Sequence, residues 1–165
     1  MSLRPQLTQE LQRLVGVQGG ASIALSTPAG LRLQIQLTAV DTMSCSLSEL
    51  QLFVPALQNA AFDVLRNWAD SLAQRITYLL EQIGPLEYDP AAGQVLIRSV
   101  RPASLPDGSQ YYEVVLSSQS GGNFSLRRYR STKGQPGRAP VDITVTHEVL
   151  LKLVDDLVAT APATP

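Results

Sequence analysis

PALQNAAFDVLRNWADSLAQRITYLLEQIGP, from Pro55 to Pro85, is the stretch whose reading decides the fold. Phe62, Leu65, Trp68, Leu72, Ile76, Leu79 and Ile83 recur at spacings of three or four, and Ala61, Val64 and Leu80 widen the stripe. Asp63, Arg66, Asn67, Asp70, Gln74, Arg75 and Glu81 fall on the other side. Apolar residues at that period mark one face of an amphipathic helix. The reading is a single central helix from Ala56 to Ile83, about 42 Å long at 1.5 Å per residue. Pro55 suits its start, where a missing N–H costs nothing, and Gly84-Pro85 stops it.

On either side of this stretch the period changes to two. Upstream, Leu31, Leu33, Ile35 and Leu37 alternate with Arg32, Gln34, Gln36 and Thr38, the pattern of a strand with one buried and one wet face. Ala21–Thr27 before it and Thr42–Phe53 after it complete a three-strand meander, with Pro28-Ala29-Gly30 as a turn. Downstream, Val95–Val100, Tyr111–Ser117 and Phe124–Arg130 read as strands, Gly121-Gly122 as a hairpin turn, and Val141–Val145 as a short further strand. Short helices flank the whole: Pro5–Val15, carrying Leu7, Leu11, Leu14 and Val15, and His147–Val158, capped by Thr146. The predicted fold is α+β, an antiparallel sheet against one long central helix, in the order α-βββ-α-βββ(β)-α. Residues 1–158 form a single domain, and 159–165 a flexible C-terminal tail.

A chain of 165 residues buries roughly 70% of its unfolded surface, enough for one core. With 44% hydrophobic and only 5% aromatic residues, that core is aliphatic. A net charge of −1 gives no global pull toward nucleic acid or anionic lipid. Cys45 is the one cysteine, so no intrachain disulfide forms, and it reads as a small buried side chain. No apolar run reaches the roughly 18 residues of a membrane span, and the first residues contain no apolar signal core. The expectation is a cytoplasmic, non-membrane protein.

Catalytic signals are weak. His147 is the only imidazole, falls in the first turn of a helix, and has no G-x-S-x-G nucleophile turn to serve. Asp63 and Asp70 lie seven apart on one helix face with Arg66 between them, which reads as an ion-pair ladder, as does the series Glu148, Lys152, Asp156. No Cys/His cluster, calcium loop or glycine-rich phosphate loop is present, so no metal or cofactor is expected, nor an enzyme.

Charge is nevertheless segregated. Between residues 98 and 138, seven basic residues (Arg98, Arg101, Arg127, Arg128, Arg130, Lys133, Arg138) face two acidic ones, while the remainder holds six basic and twelve acidic. Period two puts Arg128 and Arg130 on the face of Phe124 and Leu126, with Arg127 and Tyr129 on the other. Arginines on both faces imply a strand end projecting past the core. Interleaved Arg and Tyr can bind single-stranded nucleic acid by stacking and charge, so Arg127, Arg128, Arg130 and Arg138 are candidate anion-binding residues. The competing reading is a solvated sheet edge whose charges discourage aggregation.

The order helix, three strands, long helix, further strands, final helix resembles the class I type III secretion chaperones. That resemblance implies a small, dimeric, non-enzymatic protein that binds extended segments of other polypeptides. The residues themselves agree on a strand-accepting sheet, with Leu31, Leu33, Ile35 and Leu37 as candidate partner-binding residues. Strands apolar on both sides, such as Tyr111–Leu116 and Val95–Ile97, point to a homodimer. Nucleic acid is expected as a weak, salt-sensitive ligand at most.

Overall fold

The computed structural model describes residues 3–79, 83–100, 102–119 and 121–163. Leu80, Glu81, Arg101 and the last two residues of the expected tail lie outside them. Helix α1 (Arg4–Leu14) leads into strands β1 (Gln18–Ser26), β2 (Arg32–Val40) and β3 (Ser44–Phe53). A 3-10 turn (Pro55–Leu57) precedes helix α2 (Phe62–Arg75). Strands β4 (Ile83–Asp89), β5 (Gln94–Ser99), β6 (Ala103–Leu105), β7 (Gly108–Ser117) and β8 (Asn123–Thr132) follow. Strands β9 (Ala139–Val141) and β10 (Ile143–Thr146) then run into helix α3 (His147–Thr160).

The class is α+β with a large antiparallel sheet, in the order β1-β2-β3-β8-β7-β5-β4. Short strands β10, β6 and β9 pair with β3, β7 and β8, giving ten strands among the described residues. Buried residues alternate along β2, and all buried apolar side chains join one cluster with α1, α2 and α3. The helices therefore share one face of the sheet, and among the described residues no helix covers the opposite, open face.

Two bulges keep the apolar residues on the covered face. In β2 the buried positions run Leu33, Ile35, Leu37 and then Val40; in β3 they run Cys45, Leu47 and then Leu50, Leu52. The pairing slips at Thr38 and at Ser48, so each strand inserts one residue and resets its phase. Without those insertions Val40, Cys45 and Leu47 would face water.

The expected single helix from Ala56 to Ile83 is not what forms. Asn59 adopts a left-handed backbone at φ 57°, which separates the 3-10 turn from α2. At the other end α2 stops at Arg75, and Ile76 leaves helical geometry at φ −90°, ψ 86°. Ile76-Thr77-Tyr78 is a β-branched and aromatic run, poor in helix propensity. The chain continues away from the helix with Ile76, Leu79 and Ile83 still buried. The three-to-four spacing was real, but helix α2, the non-helical residues Ile76 and Leu79, and Ile83 at the start of β4 satisfy it in succession. Gly84-Pro85 does not end a helix: it lies in β4, paired with Arg98 and Ile97. Proline is tolerated there because β4 is an edge strand.

Side chains fasten this irregular segment to α3. Tyr78 donates its hydroxyl to Asp156 (2.6 Å), Arg75 reaches the other oxygen of that carboxylate (3.0 Å), and Lys152 lies over the Tyr78 ring. The Asp156 contact and burial push the Tyr78 hydroxyl pKa upward, burial first. Lys152 and Asp156 are thus spent on the segment after α2 rather than on the expected helical ladder. Trp68 bridges the layers: its indole donates to Thr160 and its ring lies 6.0 Å from Phe124. Arg66, expected between Asp63 and Asp70, instead covers the rings of Phe62 and Tyr88.

The last two strands make a corner not anticipated from the pattern. β3 has β2 along one side, and β8 has β7 along one side. On their facing sides they pair only through Leu50–Phe53 and Asn123–Leu126, then part. Into that fork β9 descends along β8, and β10 rises along β3. Asp142, at the corner, accepts from the Thr38 hydroxyl across β3 (2.8 Å). Thr146 then caps α3 as expected, accepting from the Val149 amide.

Two measurements check this packing. Gly122 has φ 83°, and a Cβ there would sit 2.5 Å from the Val54 carbonyl oxygen, whereas Gly121 (φ 86°) has open space. Gly122→Ala should cost about 2–4 kcal/mol in urea unfolding, and Gly121→Ala about 1 kcal/mol. Burial raises the Cys45 thiol from its ordinary 9.0 to about 11. Between those values the unfolded chain loses the thiol proton while the folded chain keeps it, so stability falls with rising pH. Relative to Cys45→Ala, wild type should lose stability across that window, and its thiol should react with a disulfide reagent only after unfolding.

Candidate binding surface

An open sheet offers a partner its edges, and the two long edges here differ. β4 carries Pro85, a register shift between Pro85 and Glu87, and the charges of Glu87 and Asp89. Proline, irregularity and charge are the usual protections of an edge. β1 reads QGGASIALS, without charge or proline. Its one irregularity is the Gly19-Gly20 bulge at its start, where φ is 91° and 117°.

Backbone polarity along β1 follows from the ladder. The Thr27 amide donates to the Leu31 carbonyl (2.9 Å), so Thr27 faces β2. In an antiparallel pair that orientation alternates, so Leu25, Ile23 and Ala21 face β2 while Ser26, Ala24 and Ser22 face outward. The Val54 amide donating to Gly122, across the next strands, has the phase this alternation requires. Six exposed groups, the N–H and C=O of Ser22, Ala24 and Ser26, therefore line the free edge.

Two recesses adjoin that edge. Leu25 and the α1 residues Gln6, Gln9, Glu10 and Arg13 bound a shallow groove beside β1. Past its end lies a cleft of about 500 Å³, lined by Pro28, Leu31, Pro55, Ala56, Val158 and Pro162 among others. The cleft is mostly apolar, and the residues following α3 form one wall.

The candidate partner-binding residues divide accordingly. Leu31 lines the cleft. Leu33, Ile35 and Leu37 are at most 2% exposed, packed beneath the helices, so they support the sheet instead of offering a surface. The edge residues Ser22, Ala24 and Ser26 were not singled out, because a strand's place at an edge depends on topology. The absence of charge and proline in 18–26 was the available sign.

The arginine block occupies mainly the open face, and carboxylates engage it. Arg138 binds both oxygens of Glu113, one contact being very short, and lies 3.8 Å above the Tyr129 ring. Arg98 reaches the same carboxylate (3.1 Å) and covers Tyr111. These bonds raise the Arg138 pKa, with Glu113 the main cause. Arg127 binds Glu49 (2.6 Å), and its pKa rises through hydrogen bonds to Tyr129 and then Glu49. Arg130 grips both oxygens of Asp107, at 2.8 and 3.0 Å. Arg128 does not project past the core: it is 6% exposed, with its guanidinium 4.2 Å above Tyr112.

His147 and Cys45 lie apart from this block. His147 Nε2 lies 3.1 Å from the Ser44 carbonyl, which only accepts, so that nitrogen carries the hydrogen. Cys45 is buried in the core. Among the described residues no group of three His, Cys, Asp or Glu side chains could hold a metal ion, and no helix is long and apolar enough to cross a membrane.

Glu113→Gln should loosen both Arg98 and Arg138. We expect about 2 kcal/mol lower stability, and low-salt retention on heparin stronger than wild type. The salt slope of oligonucleotide binding should steepen by about 0.7 for each arginine released.

No protein-family model matches the chain, and no curated protein or solved structure matches it either.

Proposed function

We propose that the chain is a non-enzymatic binding protein that holds an extended segment of another polypeptide, as a secretion chaperone does, by accepting it as a further strand on β1. The observation that carries this reading is the edge of β1: outward N–H and C=O groups at Ser22, Ala24 and Ser26, in a strand that contains no charge and no proline. An added strand satisfies those groups and gains affinity from the backbone, whatever its sequence. Selectivity then comes from recesses, and the cleft of about 500 Å³ containing Leu31 at the end of β1 has room for apolar side chains of the held segment. A cytoplasmic setting fits the single thiol, Cys45, buried and undisulfided.

A second reading, binding of single-stranded nucleic acid or another polyanion, draws on one observation. Tyr111 and Tyr129 stand 6.1 Å apart on an uncovered sheet face, among Arg98, Arg127 and Arg138. Against it, each of those guanidinium groups already has a carboxylate of the same chain, so a polyanion would have to displace Glu113 or Glu49. It ranks second for that reason.

Ala24→Pro separates the two. Proline there removes one outward N–H and leaves the β1–β2 ladder intact, so stability should stay within about 1 kcal/mol of wild type. Peptides selected from a displayed library of extended segments should bind the variant at least about tenfold more weakly. Leu31→Asp should weaken the same peptides by charging the cleft. Unchanged peptide affinity in both variants removes the strand-holding reading, and oligonucleotide binding that persists at physiological salt installs the second.

A further inference from the structure

We propose that the resting occupant of the β1 edge is β1 of a second copy of this chain, antiparallel about a two-fold axis at Ala24, so that a partner segment binds by displacing it. The inference rests on the reading of β1 as a strand-accepting edge and adds how that edge is regulated.

Self-complementarity fixes the register. In an antiparallel pair the outward-facing residues must oppose one another, which a two-fold on any residue from Ser22 to Ser26 allows. Centring on Ser22 or Ile23 sets Ala24 or Ser26 against Gly20 and runs the ladder into the Gly19-Gly20 bulge, where pairing is already broken against β2. Centring on Leu25 or Ser26 sets Ser22 or Ala24 against Pro28, which has no N–H to give. Centring on Ala24 uses every outward residue: Ala24 opposes its own copy and Ser22 opposes Ser26 of the partner subunit, for about six backbone hydrogen bonds.

Side chains accept that register on both faces. On the open face it brings together serine hydroxyls and one alanine pair, too small to clash and able to bond each other. On the covered face Ile23 meets Leu25 of the partner subunit, and Leu25 is only half-buried in the single chain. The adjoining rim of α1 contributes Glu10 and Arg13, one charge of each sign, so two copies meet without like-charge repulsion. The other long edge cannot do the same. β4 would oppose Glu87 and Asp89 to the same acids of another copy, beside Pro85. One self-accepting edge and one protected edge give a closed pair, where two accepting edges would give a fibre.

Disulfide mapping tests the register in the full chain. In a Cys45→Ala background, Ala24→Cys puts two thiols opposite each other at about 5.5 Å between Cα atoms, a span a disulfide fits. Mild oxidation should cross-link it at least about tenfold faster than Ser22→Cys, whose opposite residue is Ser26. Mixing Ser22→Cys with Ser26→Cys should restore cross-linking between the two. Sedimentation at about 50 µM should show a dimer for wild type and a monomer for Ala24→Pro, with a library-selected peptide dissociating the wild-type dimer. Equal cross-linking of Ala24→Cys and Ser22→Cys, a wild-type monomer, or a dimer that survives Ala24→Pro overturns the inference. If wild type is monomeric yet peptide binding still falls with Ala24→Pro, the strand-holding reading stands alone. If the dimer forms in this register but no library peptide binds, only the holding reading fails.

Discussion

The register of β2 between β1 and β3 is the constraint on which the rest of the molecule depends. Side chains alternate with a period of two, so a slip of one residue would turn Leu33, Ile35 and Leu37 to water and bring Gln34 and Gln36 beneath the helices. The bulges at Thr38 and Ser48 protect the same phase where the leucine pattern itself changes step. The β3 bulge also turns Glu49 to the open face, where it binds Arg127. Register on one side of β2 thus decides which amides of β1 face outward, and on the other side which carboxylate meets the arginines.

The open face shows how charge and aromatic surface can shield one side of a sheet without a second layer. Its centre holds a carboxylate, Glu113, that is 7% exposed because Arg98 and Arg138 lie across it and are braced on Tyr111 and Tyr129. An unpaired carboxylate so enclosed would cost several kcal/mol; two guanidinium groups offset that cost and cover ring surface with their flat faces. The arrangement buries part of the outer side of β7 with side chains of the same chain.

Much of this was legible from residue order. The alternating runs 31–38, 95–100, 111–117 and 124–130 became β2, β5, β7 and β8, and Thr146 capped α3 through the Val149 amide. The stretch from Ala56 to Ile83 was misread because buried positions three or four apart are compatible with several backbones, and only the β-branched run Ile76-Thr77 hinted at the break. β4 was hidden by its glycine and proline, signals of a turn that an edge strand tolerates. The basic block looked unbalanced because its counter-charge, Glu49, lies 78 residues before Arg127 in the chain. Whether a strand is an edge, and which charges meet, are properties of non-local pairing, and periodicity reports only local burial.

The fork between β3 and β8 imposes an order of events on a chain made from its N-terminus. The meander of β1, β2 and β3 is complete by Phe53, but the strand that covers the far side of β3 begins only at Asn123. At about 5–20 residues per second, β3 spends several seconds on the ribosome with that side bare. β9 pairs with β8 and β10 with β3, so the corner between them joins the two prongs of that fork. A chain halted before Asn123 therefore carries a finished meander whose third strand has one side without its partner.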